Sequence, residues 1–178
     1  MSVVEPISDG VLTLRTLGPA DLEQQLTAVD DAQMDWLWSP GDREQFEART
    51  PADQQAGMLA YLEWCAIANG PKWVFAGDLV EQSYVVYVDC DLANRETPGE
   101  ANISYTCHPA YRGRGLTSRA VRLVCSFLRE HTDVSEAHLV IHQDNGPSLR
   151  VARSVGAPEV ERYVDQHGRP MIRHVLQL

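Results

Sequence analysis

The stretch Tyr105-Thr106-Cys107-His108-Pro109-Ala110-Tyr111-Arg112-Gly113-Arg114-Gly115-Leu116-Thr117-Ser118 runs from an extended segment through a basic, glycine-bearing loop into a strongly periodic helix. Physically this is an anion site. The first N–H groups of a helix have no intrahelical partner, and the macrodipole places partial positive charge there. Glycines let the backbone approach a diphosphate where a β-carbon would collide. Thr117 and Ser118 add hydroxyl donors. Spacing alone also allows a plain strand-to-helix connector with its arginines in solvent. Two commoner phosphate loops are excluded. A Walker loop needs Gly-Lys-Ser/Thr, and Leu116 follows Gly115. A dinucleotide fingerprint needs a third glycine where Ser118 stands.

Working outward, Leu116, Ala120, Leu123, Val124, Phe127 and Leu128 mark one apolar face of a helix ending near His131. Upstream, strand-like runs cover 72–79, 83–91 and 102–107. Downstream come a short buried strand at 137–143 and a helix at 147–155 stopped by Gly156. Two last strands, at about 159–165 and 170–177, flank a turn at Asp165-Gln166-His167-Gly168. Nearer the start, Val11 to Leu17 alternates as a strand, and a helix from Asp21 to about Asp31 follows. Residues 32–50 are expected to be irregular and aromatic, with Trp36, Trp38 and Phe46. Thr50, Pro51 and Asp53 open a further helix through Ala66. No repeat or linker interrupts the chain, so a single α/β domain over residues 1–178 is the expectation.

The formal net charge is -10. Non-specific nucleic-acid binding relies on basic patches, so this balance argues against it and suits an amine-bearing partner. The four cysteines lie far apart without a C-x-x-C pair, which points to reduced thiols and not to a zinc site or disulfide framework. The first ten residues lack the pattern of a signal peptide, and no apolar run reaches membrane-spanning length. A soluble cytoplasmic protein without bound metal is expected.

On Arg112, Gly115 and the lead-in Tyr105 to Pro109, the chain resembles the GNAT superfamily of N-acetyltransferases. Their loop reads Gln/Arg-x-x-Gly-x-Gly/Ala, with Thr117 here at the last position. A second segment, Asn145-Gly146-Pro147-Ser148-Leu149-Arg150-Val151-Ala152-Arg153-Ser154-Val155-Gly156-Ala157, looks like the family's Asn-x-x-Ser-x-x-Val-Ala-x-x-x-Gly-Phe, with Ala157 replacing the aromatic. This version is similar to the ribosomal-protein alanine N-acetyltransferase branch.

The resemblance implies a mixed α/β fold: a central, mostly antiparallel sheet flanked by helices, with a splay between two parallel strands. Acetyl-CoA would lie in the splay and a primary amine, on a small molecule or a protein N-terminus, would attack the thioester directly. Tyr105, Thr106 and Cys107 would then offer backbone N–H groups, with the Cys107 thiol a small hydrophobe and not a nucleophile. Arg112, Gly113, Arg114, Gly115, Leu116, Thr117 and Ser118 would hold the pyrophosphate, and Asn145 would contact the cofactor. Ala152 stands where many relatives place a tyrosine acid, so Ser148 inherits that role by resemblance. Helix capping is its competing reading.

Asn102 stands where some relatives carry a glutamate base. Glu100, on the same strand face, could act through water, or be a plain edge-strand carboxylate. Trp36 and Trp38 lie where relatives build the substrate-facing segment, and ordinary packing explains them equally well. His108 is expected to be structural. His138 and His142 share a strand face, and with no carboxylate apparent beside them they are expected to be packed or exposed. A homodimer is left open. The rival functions are a catalytically silent acyl-CoA-binding or regulatory domain on the same fold and a nucleotide-binding oxidoreductase.

Overall fold

A computed structural model describes residues 4–67, 72–92 and 99–178. The strands are β1 (Ile7–Ser8), β2 (Thr13–Thr16), β3 (Lys72–Leu79), β4 (Gln82–Asp91), β5 (Glu100–Cys107), β6 (Glu136–His142), β7 (Glu159–Val164) and β8 (Pro170–Gln177). They form one sheet in the order β1-β2-β3-β4-β5-β6-β8-β7. Among the described residues every neighbouring pair is antiparallel except β5 and β6, which run parallel.

The helices are α1 (Leu22–Ala28), α2 (Asp31–Leu37), α3 (Pro40–Glu47), α4 (Pro51–Ile67), α5 (Leu116–His131) and α6 (Gly146–Val155). Alternation along each strand sends successive side chains to opposite faces, so one sheet supports two cores. On one face α5 and α6 cover Phe75, Val88, Ile103 and Leu139. On the other, α1 and α4 cover Val74, Ala76, Tyr84 and Tyr87. The apolar face expected of α5 is buried throughout. Thr50 accepts a hydrogen bond from the Asp53 N–H at 3.2 Å and starts α4 as anticipated. Gly156 ends α6 in the left-handed conformation, φ +82°.

The expectation of irregular structure over 32–50 is corrected: α2 and α3 lie there. The signals were caps, not periodicity. The Asp30 side chain accepts from the Gln33 N–H at 2.9 Å, and Ser39 with Asp42 forms a reciprocal capping box. Arg43 then joins the two helices, pairing with Asp31, Asp35 and Glu47. Helix α1 is also shorter than expected, stopping at Ala28 because Val29 turns extended (φ -72°, ψ 104°). The two-residue β1 left no periodic trace to read.

Candidate active site

Strand β5 ends at Cys107, and a single 3₁₀ turn, Pro109–Tyr111, follows. His108 caps that turn, its Nδ1 accepting from the Ala110 N–H at 3.3 Å, which is the structural role expected of it. Gly113 and Gly115 then take positive φ, +78° and +73°. Such values strain any residue with a β-carbon. A β-carbon built on either glycine would meet nothing within 4 Å, so the glycines keep space open as well as relieving strain. Gly115 is the N-cap of α5 and has no side chain to occupy the first-turn N–H groups. They remain available to an anion.

The two loop arginines do different work. Arg112 forms a bidentate pair with Asp30 at 2.7 and 2.9 Å, and its Nε donates to the Cys107 carbonyl at 3.1 Å. That hydrogen bonding holds the Asp30 carboxyl below its usual range. Arg112 therefore ties the loop to the start of α2. The Arg114 guanidinium lies 5.2 Å from the centre of the Tyr111 ring.

Strands β5 and β6 pair only at Glu100–Glu136, Ala101–Ala137 and Asn102–His138. Beyond that point they part. The gap between Ile103–Cys107 and Leu139–His142 opens into a cavity of about 550 Å³, floored by the glycine loop and the start of α5. Tyr105, Thr106, Cys107, Arg112, Gly113, Arg114, Gly115, Leu116, Thr117, Ser118 and Asn145 all line it, as do Ser148, Asn102 and Trp36. Asn102 Oδ1 is buried there without a hydrogen-bond partner.

Asn145 is the N-cap of α6, its Oδ1 accepting from the Ser148 N–H at 3.2 Å. The capping work is thus done by Asn145, and Ser148 contributes its amide to it. The Tyr105 hydroxyl donates to the Ser148 carbonyl at 3.5 Å, and burial pushes Tyr105 up to about 12. Ala152 is fully buried in the core and brings no hydroxyl. Burial also raises the Cys107 thiol, which donates to the Val85 carbonyl at 3.5 Å, and this favours its protonated form.

Two of the expected site residues, Glu100 and Trp38, fall elsewhere. Glu100 shares its strand face with Asn102 but lines a separate cavity with Glu136 and His138. Those three groups have ligand-type atoms within 4.8 Å of one another. The expectation that no carboxylate accompanies His138 is therefore corrected: Glu136, two residues away on the same face, lies 3.2 Å from its Nε2. Trp38 packs edge-on against Phe46 at 5.0 Å and lines a second cavity between the helices. Trp36 instead meets His142 at 5.2 Å in the first. Asp30, Tyr111 and His142 were absent from the sequence-based site. Only the position of Asp30 as a helix cap could have suggested it.

The profile of the family described as Acetyltransferase (GNAT) domain matches residues 11–158. The chain belongs to the GNAT acetyltransferase family. It is an acetyltransferase with acetyl-CoA as co-substrate. No curated protein matches it by sequence. Among solved structures, the ribosomal-protein-S5-alanine acetyltransferase of Vibrio fischeri gives a TM-score of 0.77 at 14% identity, covering 97% of this chain and 96% of that one. RimJ of Mycobacterium smegmatis, in complex with CoA-disulfide, gives 0.76 at 17% identity, covering 97% and 86%. The aminoglycoside acetyltransferase AAC(6')-Ib, in complex with coenzyme A, gives 0.71 at 17% identity, covering 93% and 94%. These likenesses are of fold. They agree with the mixed, mostly antiparallel sheet and single parallel pair expected of the family.

Proposed function

We propose that this protein moves an acetyl group from acetyl-CoA to a primary amine, on a small molecule or a protein N-terminus, by direct attack. The observation that carries this reading is the cavity between β5 and β6, which ends on two positive-φ glycines and an uncapped helix N-terminus. Those features suit a diphosphate, since unpaired N–H groups and the helix dipole stabilise negative charge without a side chain. Tyr105, Thr106 and Cys107 supply backbone on the cavity side for the pantetheine and thioester. The amine nitrogen forms the new C–N bond, the C–S bond breaks, and the sulfur needs a proton. Four free cysteines, three of them buried, fit a reducing compartment such as the cytoplasm.

Acetyl-CoA and CoA are expected to raise the melting temperature, whereas NAD and ATP are not. A ligand at 100 times its dissociation constant adds about 2.7 kcal/mol of stability. A shift with NAD and none with CoA would end the acetyltransfer reading. The silent-domain reading draws on Ala152 and Asn102 standing at positions that usually carry an acid and a base. Thiol release from acetyl-CoA across a panel of amines separates it from turnover.

Ser148 is assigned as the hydroxyl that serves the departing sulfur. It lies in the first turn of α6 and lines the cavity. Ser148→Ala is expected to lower kcat by about 10², the low end for a positioned proton donor because serine is a weak acid. The acetyl-CoA KM should move little. Unchanged kcat with a lowered melting temperature would remove Ser148 from the mechanism.

A further inference from the structure

The second cavity, about 480 Å³, lies among α1, α2, α3 and α4 and shares Gln33 and Leu37 with the first. Tyr61 of α4 and Tyr87 of β4 line it. Their hydroxyl oxygens are 2.7 Å apart, and Tyr87 donates to Asp89 Oδ2 at 2.7 Å. Because the one hydroxyl proton of Tyr87 is directed at Asp89, Tyr61 must be the donor to Tyr87. The oxygen of Tyr61 then keeps acceptor capacity at the start of a chain that leads to Asp89, with the Cys65 thiol as a further hydrogen-bonding neighbour of Tyr61. That carboxylate is 3% exposed, with Lys72 Nζ 3.2 Å from its other oxygen as an ion pair.

The chain also sits beside the first cavity. Across the β4–β5 ladder Tyr87 pairs with Thr106 and Asp89 with Ser104, and both β5 residues line the first cavity. Paired residues share a sheet face, so the buried carboxylate lies one strand from the wall assigned to the thioester.

We propose that the second cavity receives the acceptor as an ammonium, and that Tyr61 and Tyr87 relay one of its protons to Asp89. This rests on the acetyltransfer reading and names its base and acceptor site. The ammonium gives a proton to the Tyr61 oxygen as Tyr61 gives its own to Tyr87 and Tyr87 gives its own to Asp89 Oδ2. The carboxylate becomes a carboxylic acid, and no electrons change hands. The freed lone pair of the amine forms the C–N bond, the C–S pair goes to sulfur, and the second nitrogen proton ends on that sulfur. Asp89 later releases its proton to solvent.

An apolar trio would hold α4 against the sheet at lower desolvation cost, so packing alone does not call for these groups. The walls suit an amine with an apolar body, for Trp38, Phe46 and Met58 line the cavity, and both Asp42 and Arg49 stand among its polar lining. Burial raises Asp89 from its ordinary value, Asp91 adds to this and Lys72 opposes it. Cys65 of α4 also faces the group and interacts electrostatically with it. A raised carboxyl is a better base near neutral pH than an ordinary one.

The test measures thiol release from acetyl-CoA with an alanyl peptide, spermidine and an aminoglycoside, together with CoA affinity by calorimetry. Asp89→Asn should lower kcat/KM about 10²-fold and remove the acid limb of its pH profile, which a purely structural role would leave in place. Tyr61→Phe, a milder change in a half-buried residue, should lower kcat at least about tenfold with CoA affinity intact. Wild-type kcat in Tyr61→Phe overturns the relay, as does an acid limb that survives in Asp89→Asn or vanishes in Glu100→Gln. A wild-type protein that binds CoA but acetylates none of these amines overturns the acceptor site. Failure to bind CoA overturns the acetyltransfer reading itself.

Discussion

Gly115→Val is expected to weaken CoA binding by about a thousandfold in a protein that still folds. Gly115 has φ +73°, and a β-carbon there meets nothing within 4 Å. That empty space belongs to the cavity wall. A valine would fill it, and would also push the backbone away from the left-handed region, withdrawing the first N–H groups of α5 from the diphosphate. Charge-assisted hydrogen bonds are worth about 2 kcal/mol each, so losing two costs about 4 kcal/mol, or roughly three decades of affinity. The local strain, on the order of 1–3 kcal/mol, leaves a stable core in place. Calorimetry with CoA measures the affinity, and circular dichroism checks the fold. A folded variant with wild-type affinity would make the loop a connector and nothing more.

The second large effect concerns stability. Asp21 is 1% exposed and accepts from Arg15 at 2.9 and 2.6 Å and from the Gly18 N–H at 3.0 Å. Arg15 also reaches Asp78 at 2.7 Å, and Asp78 accepts from the Tyr84 N–H at 2.9 Å. The network fastens the start of α1 to strands β2 and β3. Asp21→Ala deletes the buried carboxylate and leaves a half-buried guanidinium and a backbone N–H short of a partner. Breaking a buried pair from one side costs about 3 kcal/mol at the lower end, which for a domain of this size lowers Tm by about 6–12 °C. CoA affinity, measured well below the melting transition, should be unchanged because Asp21 lies outside the first cavity. A Tm within about 2 °C of wild type would show that water replaces the carboxylate without cost.

Much of this was written locally in the chain. The loop from Arg112 to Ser118, the apolar face of α5 and the stop at Gly156 are statements about a few neighbouring residues. Periodicity and positive φ are short-range properties, and a sequence records them directly. The two helices α2 and α3 were missed because their apolar faces are weak, although Asp30 and the Ser39–Asp42 box mark their starts.

By itself, then, the sequence determined a mixed α/β fold, a glycine-bearing strand-to-helix turn and the family whose two motif segments it resembles. Tertiary structure decided what those segments meet. Arg112 finds Asp30 across 82 positions, and Tyr61 finds Tyr87 across 26. Glu100 is drawn to Glu136 and His138, and Trp36 and Trp38 are sent to different cavities. Each outcome follows from which strands pair and where β5 and β6 part. Spacing along the chain fixes local backbone geometry, but strand order and the burial of both sheet faces fix the distances between remote side chains.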